Sequence, residues 1–200
     1  MFSDSQSLQY FLSLQDQLQP SMAIEVGAHD ADFAKTVVQR GIPTYAFEAS
    51  PSVYERFKGG MGEVSYIYSA ITDYEGTVIF NIENKKDAHK IGHNGIKEGR
   101  WRIEESIEVP CTSLDIYFKD IYNQKIALWI DCEGANREVL EGSRNILSMT
   151  DSIFIEVEHK QLWKDIWTRT DVINYLESFG FKLIKEFPAY PNQTNCIFTR

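Results

Sequence analysis

Five short polar clusters punctuate the chain, each at the carboxyl end of an apolar run. They are Glu25-Val26-Gly27-Ala28-His29-Asp30, Glu48-Ala49-Ser50, Ser69-Ala70-Ile71, Asp131-Cys132-Glu133-Gly134 and Glu156-Val157-Glu158-His159. Ligands of open parallel sheets sit beyond the carboxyl ends of the strands, so these clusters are read as one convergent site. Gly27 supplies the freedom needed for a sharp turn or a close backbone approach, and Ala28 and Ala31 beside it are small. The full glycine-rich pattern of a pyrophosphate-binding turn is absent, and Glu25, Asp30 and Asp32 crowd the turn instead. Such charges repel phosphate and suit a cation. S-adenosylmethionine, with an ammonium and a sulfonium, has that charge. Glu48 follows Gly27 by about twenty residues, where an acidic side chain accepts both ribose hydroxyls of a nucleoside.

The elements that must carry these clusters alternate between short β-rich runs and amphipathic helical stretches, the pattern of a mostly parallel α/β sheet. An opening helix over residues 4–18 is closed by Pro20. Strands are expected at Met22–Val26, Thr44–Glu48, 63–70, 125–130 and 152–157, with a final antiparallel hairpin from 181–187 and 194–199. Helices are expected from the first turn to Arg40, from Pro51 to Phe57, and over 112–122, 135–147 and 170–179. Residues 76–82 read as an added edge strand, and order resumes at 107–109. Between them, 83–105 is polar, with glycines at 92, 95 and 99; a loop this long is usually functional.

The chain has 200 residues and a net charge of −9, with 43% apolar and 24% charged residues, which suits one soluble globular domain over 1–200. Its acidity disfavours nucleic acid and anionic membranes as partners, and no apolar run approaches the ~20 residues that cross a bilayer. Residues 1–6 lack the basic flank and apolar stretch of a signal peptide, so a cytoplasmic location is expected. Cys111, Cys132 and Cys196 fit neither a disulfide framework nor a zinc spacing and are expected as small buried hydrophobes.

Several runs carry a family resemblance. Ile24-Glu25-Val26-Gly27-Ala28-His29-Asp30-Ala31-Asp32-Phe33 resembles the first motif of FkbM-type methyltransferases, and Phe47-Glu48-Ala49-Ser50-Pro51-Ser52-Val53-Tyr54-Glu55-Arg56-Phe57 their second. Ala70-Ile71-Thr72-Asp73-Tyr74-Glu75-Gly76 is similar to the segment after their third strand, and Thr112-Ser113-Leu114-Asp115 to a further signature. Ile130-Asp131-Cys132-Glu133-Gly134-Ala135-Asn136-Arg137-Glu138-Val139-Leu140-Glu141-Gly142 resembles the pattern D-x-E-G-x-E-x-x-x-L-x-G, with Ile155-Glu156-Val157 after it. The departures are Glu25 for Asp, His29 for Asn, Ala31 for Gly, and Asn136-Arg137 where an acid is usual. The resemblance implies a Rossmann-like class I methyltransferase: a seven-stranded, mostly parallel sheet with an antiparallel C-terminal hairpin and helices on both faces. It implies S-adenosylmethionine contacts from Glu25, Gly27, Ala28, His29, Phe33, Glu48, Ala49, Ser50, Ala70, Ile71 and Asp131. It also implies O-methylation of a sugar or glycan, with a deoxyhexose such as rhamnose as the expected acceptor.

A sugar hydroxyl is a weak nucleophile and needs a base or a metal as well as alignment. Asp131, His159 and Glu133 are the expected catalytic residues, with Glu158 a further carboxylate in reach. His159 has a suitable ordinary pKa of ~6.5, and its bland alternative is a surface histidine. Asp131, Glu158 and His159 together form a possible ligand set for Mg2+ or another divalent cation; alternatively, Asp131 and Glu133 hold backbone amides around the cofactor. The insertion 83–106 is expected as a lid whose His93, Trp101 and Arg102 meet the acceptor. Trp163 is expected as an opposite wall with Trp167, unless both are core. Tyr190 in the last hairpin is a further acceptor-side candidate. The chain is either a whole enzyme or a module of a larger glycan-building protein, and its oligomeric state is open. An NAD-dependent oxidoreductase is the rival enzyme class, weakened by the missing glycines; a non-catalytic binding module on the same scaffold is the other rival.

Overall fold

A computed structural model describes residues 3–83, 94–98 and 103–200. In chain order its elements are α1 (Ser3–Leu18), β1 (Met22–Val26), α2 (Asp32–Val38), β2 (Thr44–Glu48), α3 (Pro51–Phe57), β3 (Ser65–Tyr68), β4 (Ala70–Ile71), β5 (Gly76–Glu83) and β6 (Ile103–Thr112). There follow α4 (Leu114–Tyr117), β7 (Ile126–Ile130), α5 (Asn136–Glu141), α6 (Arg144–Ser148), β8 (Thr150–Glu158), α7 (Arg169–Ser178), β9 (Lys182–Pro188) and β10 (Gln193–Thr199). Seven strands form one sheet in the order β3-β2-β1-β7-β8-β10-β9, with β10 antiparallel to both its neighbours. The strand order reverses between β1 and β7, which places the expected ligand crevice at their carboxyl ends.

Both faces of this sheet are covered, which is why the bodies of its central strands are mostly apolar. Ile24, Val26, Leu128, Ile130, Ile153, Ile155 and Val157 belong to the larger core, with Leu114, Val139, Leu140, Val172 and Leu176 of the helices on that side. On the opposite face Ala23, Ala127, Trp129 and Phe154 pack with Phe11 of α1 and Phe33 and Val37 of α2. No helix among the described residues is long and apolar enough to cross a membrane.

The middle of the chain departs from the sequence expectation. Residues 76–82 do not extend the main sheet: β4, β6 and β5 form a separate three-stranded sheet. There Val78 pairs with Val109 and Phe80 with Ile107, and the ladder continues to Ile82 opposite Glu105. Residues 103–106, assigned to an irregular insertion, are therefore strand; exposed glutamates on its open face hid the alternation. The expected strand at 63–70 splits because the Ser69 amide donates to Glu48 O, turning the chain from one sheet into the other. The expected helix over 135–147 breaks at Gly142, where a Cβ would lie 2.2 Å from the carbonyl oxygen of Thr72. The expected helix at 112–122 shrinks to the single turn of α4.

Candidate functional site

The turn after β1 ties three strand ends together. The amides of Gly27 and Ala28 both donate to the carbonyl of Phe47, and the Asp131 amide donates to Val26 O. Gly27 has φ 77°, and a Cβ on it would fall 1.8 Å from the Asp131 carbonyl oxygen, so no other residue fits there. His29 and Ala31 are also left-handed, at φ 47° and 58°, a conformation that costs non-glycine residues free energy unless the surroundings hold it. Two carboxylates hold it. Glu48 accepts the His29 amide at 2.8 Å through Oε2 and the Ser50 amide at 2.7 Å through Oε1. Glu25 accepts the Ala34 amide at 2.8 Å and so anchors the start of α2. Tyr66 Oη closes the loop by donating to His29 O at 2.6 Å.

Both acids are buried. Burial pushes the Glu25 carboxyl up to about 8 against the Ala34 amide, and the charges of Asp131, Asp30 and Asp32 add to the push. Glu48 is also raised by burial, with the amides of Ser50 and His29 opposing. A carboxylate has about four lone-pair sites, so the amides of His29, Ser50 and Ala49 leave Glu48 acceptor capacity for a hydroxyl. The acidic crowding is relieved by a ligand that brings positive charge. These residues therefore fit S-adenosylmethionine better than an anionic dinucleotide.

The ends of β7 and β8 present a second acidic group. Glu158 is 1% exposed. Burial pushes it up to about 7 against the amides of Glu158 and Gly134, while Asp131 raises it further. Asn136, also buried, donates from Nδ2 to Glu156 O at 2.8 Å and to Glu158 Oε2 at 3.5 Å, and it accepts the Cys132 thiol at 3.6 Å. It thus bridges the Asp131–Gly134 turn to β8. Glu133 takes φ 29°, and a Cβ on Gly95 would lie 3.1 Å from its carbonyl, so residues 94–98 pass close over that turn. Lys97 of the same stretch pairs with Glu138 of α5 at 2.5 Å, and Lys164 N donates to Glu98 O at 3.0 Å.

Comparison with known proteins gives this geometry its context. Residues 25–183 match the model of the methyltransferase FkbM domain. The chain belongs to the FkbM methyltransferase family. It is an S-adenosylmethionine-dependent methyltransferase. A relative, the 2-O-methyltransferase NoeI of Sinorhizobium fredii (strain NBRC 101917 / NGR234), is 25% identical over 181 residues, covering 82% of this chain and 74% of NoeI. Two solved structures share the fold at 10% identity and a TM-score of 0.51. One is a putative RNA methyltransferase, PH1948, from Pyrococcus horikoshii (98% of this chain, 82% of that one). The other is the 1,6-didemethyltoxoflavin-N1-methyltransferase of Burkholderia thailandensis with bound S-adenosylhomocysteine (97% and 78%). The family match leaves no ground for the dinucleotide-dependent oxidoreductase or the non-catalytic module.

The structure places the expected cofactor residues of the methyltransferase differently, Asp131 lying at the end of β7. Gly27, Ala28, His29, Glu48, Ala49 and Ser50 do line one turn and strand end. Glu25 supports that turn from below by holding α2. Phe33 does not face a ligand: it is 1% exposed, stacked 5.3 Å from Trp129 and 5.4 Å from Phe11, because α2 turns that face onto the sheet. Ala70 and Ile71 are buried in β4, Ala70 in the core of the small sheet beside Ala49 and Ile71 in the main core.

The proposed metal set is not assembled. Successive side chains of a strand point to opposite faces, and His159 leaves β8 on the side away from Glu158. Its Nε2 meets Thr194 Oγ1 at 2.7 Å, and it lines a recess of about 330 Å3 with Arg169, Glu186, Pro188 and Thr194. Among the described residues no three His, Cys, Asp or Glu side chains are grouped to hold a metal. Trp163 is core rather than open wall, packed with Leu162 and Ile166 where a Cβ on Gly134 would come 3.0 Å from its Cγ. Trp167 lies 4.8 Å from Tyr175 against the main core. Tyr190 is exposed. His93, Trp101 and Arg102 lie outside the described residues.

Two signatures of the family prove to be structural. Asp115 accepts the amides of Asn145 and Ile146 and so caps α6, while Gly142 lets α5 press against Thr72. Sequence reasoning missed Asn136 as a bridge, together with Gln193 and Asn195. The available signal was the alternation of polar with apolar residues along 155–158 and the run of polar residues at 193–195.

Proposed function

We propose that the protein transfers a methyl group to a hydroxyl of a sugar or glycan, and that Asp131 and Glu158 together take up the proton this hydroxyl gives up. The observation that carries the reading is the facing pair of carboxylates on adjoining strand ends, with Glu158 raised to about 7. A general base works best when its pKa lies near the operating pH. Of the pair, Asp131 is the more exposed and meets the acceptor, while Glu158 lies behind it. Asn136 holds Glu158, and Glu48 with the Gly27–Ala31 turn holds the nucleoside. When bound, S-adenosylmethionine supplies a methyl carbon made electrophilic by a positively charged sulfur. The similarity to a 2-O-methyltransferase supports an oxygen acceptor, and an uncharged sugar suits an acidic edge.

The test is a methylation assay with radiolabelled S-adenosylmethionine and a panel of p-nitrophenyl glycosides that includes a rhamnoside. Label is expected in at least one glycoside, with a rate that rises with pH through about 7. No labelled glycoside, at any pH, would overturn the sugar reading.

A further inference from the structure

The sheet face beneath α1 changes character along its length. At one end it is apolar: Phe154 stacks on Trp129 at 3.4 Å, and Phe11 of α1 covers both. Further along β8 the same face carries Glu156 and then Glu158, and the ladder sets Asn195 of β10 opposite Glu156 and Gln193 opposite Glu158. Ser7 of α1 and Asn136 of α5 close the group, and all six side chains are buried. Burying polar groups costs free energy unless each finds a partner.

Most of the partners are internal. Gln193 Nε2 donates to Glu156 Oε1 at 2.7 Å, Asn195 Nδ2 donates to Ser7 Oγ at 3.2 Å, and Asn136 serves β8 as described. Asn195 Oδ1 has none, although the residue is only 3% exposed. A native fold rarely leaves a buried amide oxygen unserved unless something outside the chain completes it.

We propose that this polar row is the acceptor subsite, in which Asn195, Gln193 and Glu156 hold the non-reacting hydroxyls of a saccharide beside the Asp131–Glu158 edge. Amides both donate and accept and carboxylates accept twice, which complements hydroxyls that do both. This proposal rests on the sugar reading above.

The experiment measures kcat and KM for the glycoside panel with the full chain, alongside calorimetric titration of S-adenosylhomocysteine and thermal melts. The variants are Asn195→Leu and Gln193→Met. Each is expected to raise the glycoside KM about tenfold, the loss of roughly one hydrogen bond that the site was built to make, with affinity for S-adenosylhomocysteine unchanged. Asn195→Leu removes the orphan oxygen but also the amide that reaches the buried Ser7 Oγ, so a modestly lower melting point is expected beside the change in KM. A lowered melting point with unchanged KM means that the row is only structural and overturns the subsite. If Asn195→Leu does not fold, Gln193→Met is judged by the same criterion. Glycoside methylation with KM unmoved in the variants sinks the subsite alone; no glycoside methylation by the parent sinks the sugar reading and the subsite with it.

Discussion

The two sides of the switch point build their sites from different material. Around β1 and β2 the site is backbone: the left-handed turn of Gly27, His29 and Ala31, held by Glu48 and Glu25 through the amides of residues 29, 34 and 50. Around β7, β8 and β10 it is side chain: Asp131, Glu156, Glu158, Gln193 and Asn195 of the strands and their ends, with Asn136 of α5 tied to β8 and Gln193 to Glu156. On the first side the carboxylates hold backbone amides and so present a loop. On the second, Glu158 is also bonded to amides, but it stands at a strand end beside Asp131 and is the group proposed to take the proton. The same residue type therefore does opposite work on the two sides.

The largest effect that separates the sides is expected from Glu158→Gln. Loss of a general base costs on the order of a hundredfold or more in kcat, and the rise of rate through about pH 7 should vanish with it. Binding of S-adenosylhomocysteine should stay intact in a calorimetric titration. A kcat near that of the parent would move the proton acceptor elsewhere. Glu48→Ala should do the reverse, weakening S-adenosylhomocysteine about tenfold to a hundredfold as a charge-assisted hydrogen bond to the ribose is lost. It also strips backbone amides of their partner, so a lower melting point should accompany it. Unchanged affinity would break the assignment of Glu48 to the nucleoside.

A smaller effect links the sides through charge. Glu25 and Glu158 sit at about 8 and about 7 in the folded chain, both above the ordinary 4.5. A raised carboxyl favours the fold below its unfolded value, and that contribution is lost as pH climbs through the folded value. Ligand-free protein should therefore melt progressively lower from about pH 5 to about pH 8. A cationic ligand favours the ionised acids, so binding of S-adenosylmethionine should release protons and tighten with pH, by up to about tenfold per unit for each proton released. S-adenosylhomocysteine, without the sulfonium charge, should show a shallower slope. Equal slopes would mean that the acidic turn does not sense that charge.

This division also explains what could be read from the sequence. A backbone-built site leaves a local trace: Gly27 after an apolar strand and Glu48 after the next are adjacent in pattern and in space. The main sheet was legible for the same reason, since buried parallel strands are mostly apolar runs. A side-chain site drawn from several strands leaves only scattered polar residues, and the polar Gln193-Thr194-Asn195 start of β10 looked like part of an ordinary hairpin. The small sheet was half hidden because the Ile-Glu-Glu-Ser start of β6 puts polar residues on its open face. Phe33 misled because a motif match records proximity to the turn without saying which way α2 rotates the ring. His159 misled by one residue: sequence places it beside Glu158, and the period of two places it on the other side.

That last point gives the smallest expected effect and a direct check on the comparison. His159→Ala removes the contact with Thr194 and part of the wall of a recess that Arg169 and Glu186 also line. A hydrogen bond at an exposed site contributes about 0.5–1.5 kcal/mol at most, so a slightly lower melting point is the main consequence. Turnover should fall far short of the roughly hundredfold loss that marks a general base, and the limb near pH 7 should persist, because the pair that produces it lies on the opposite face. EDTA should likewise leave the rate unchanged, since His159 cannot join Asp131 and Glu158 on one ion while bonded to Thr194. If His159→Ala abolished the limb, or if chelation stopped turnover, β8 would have to twist beyond Val157 in the working enzyme. Residues 158 and 159 would then share a side, and the backbone-built and side-chain-built halves would no longer be distinct.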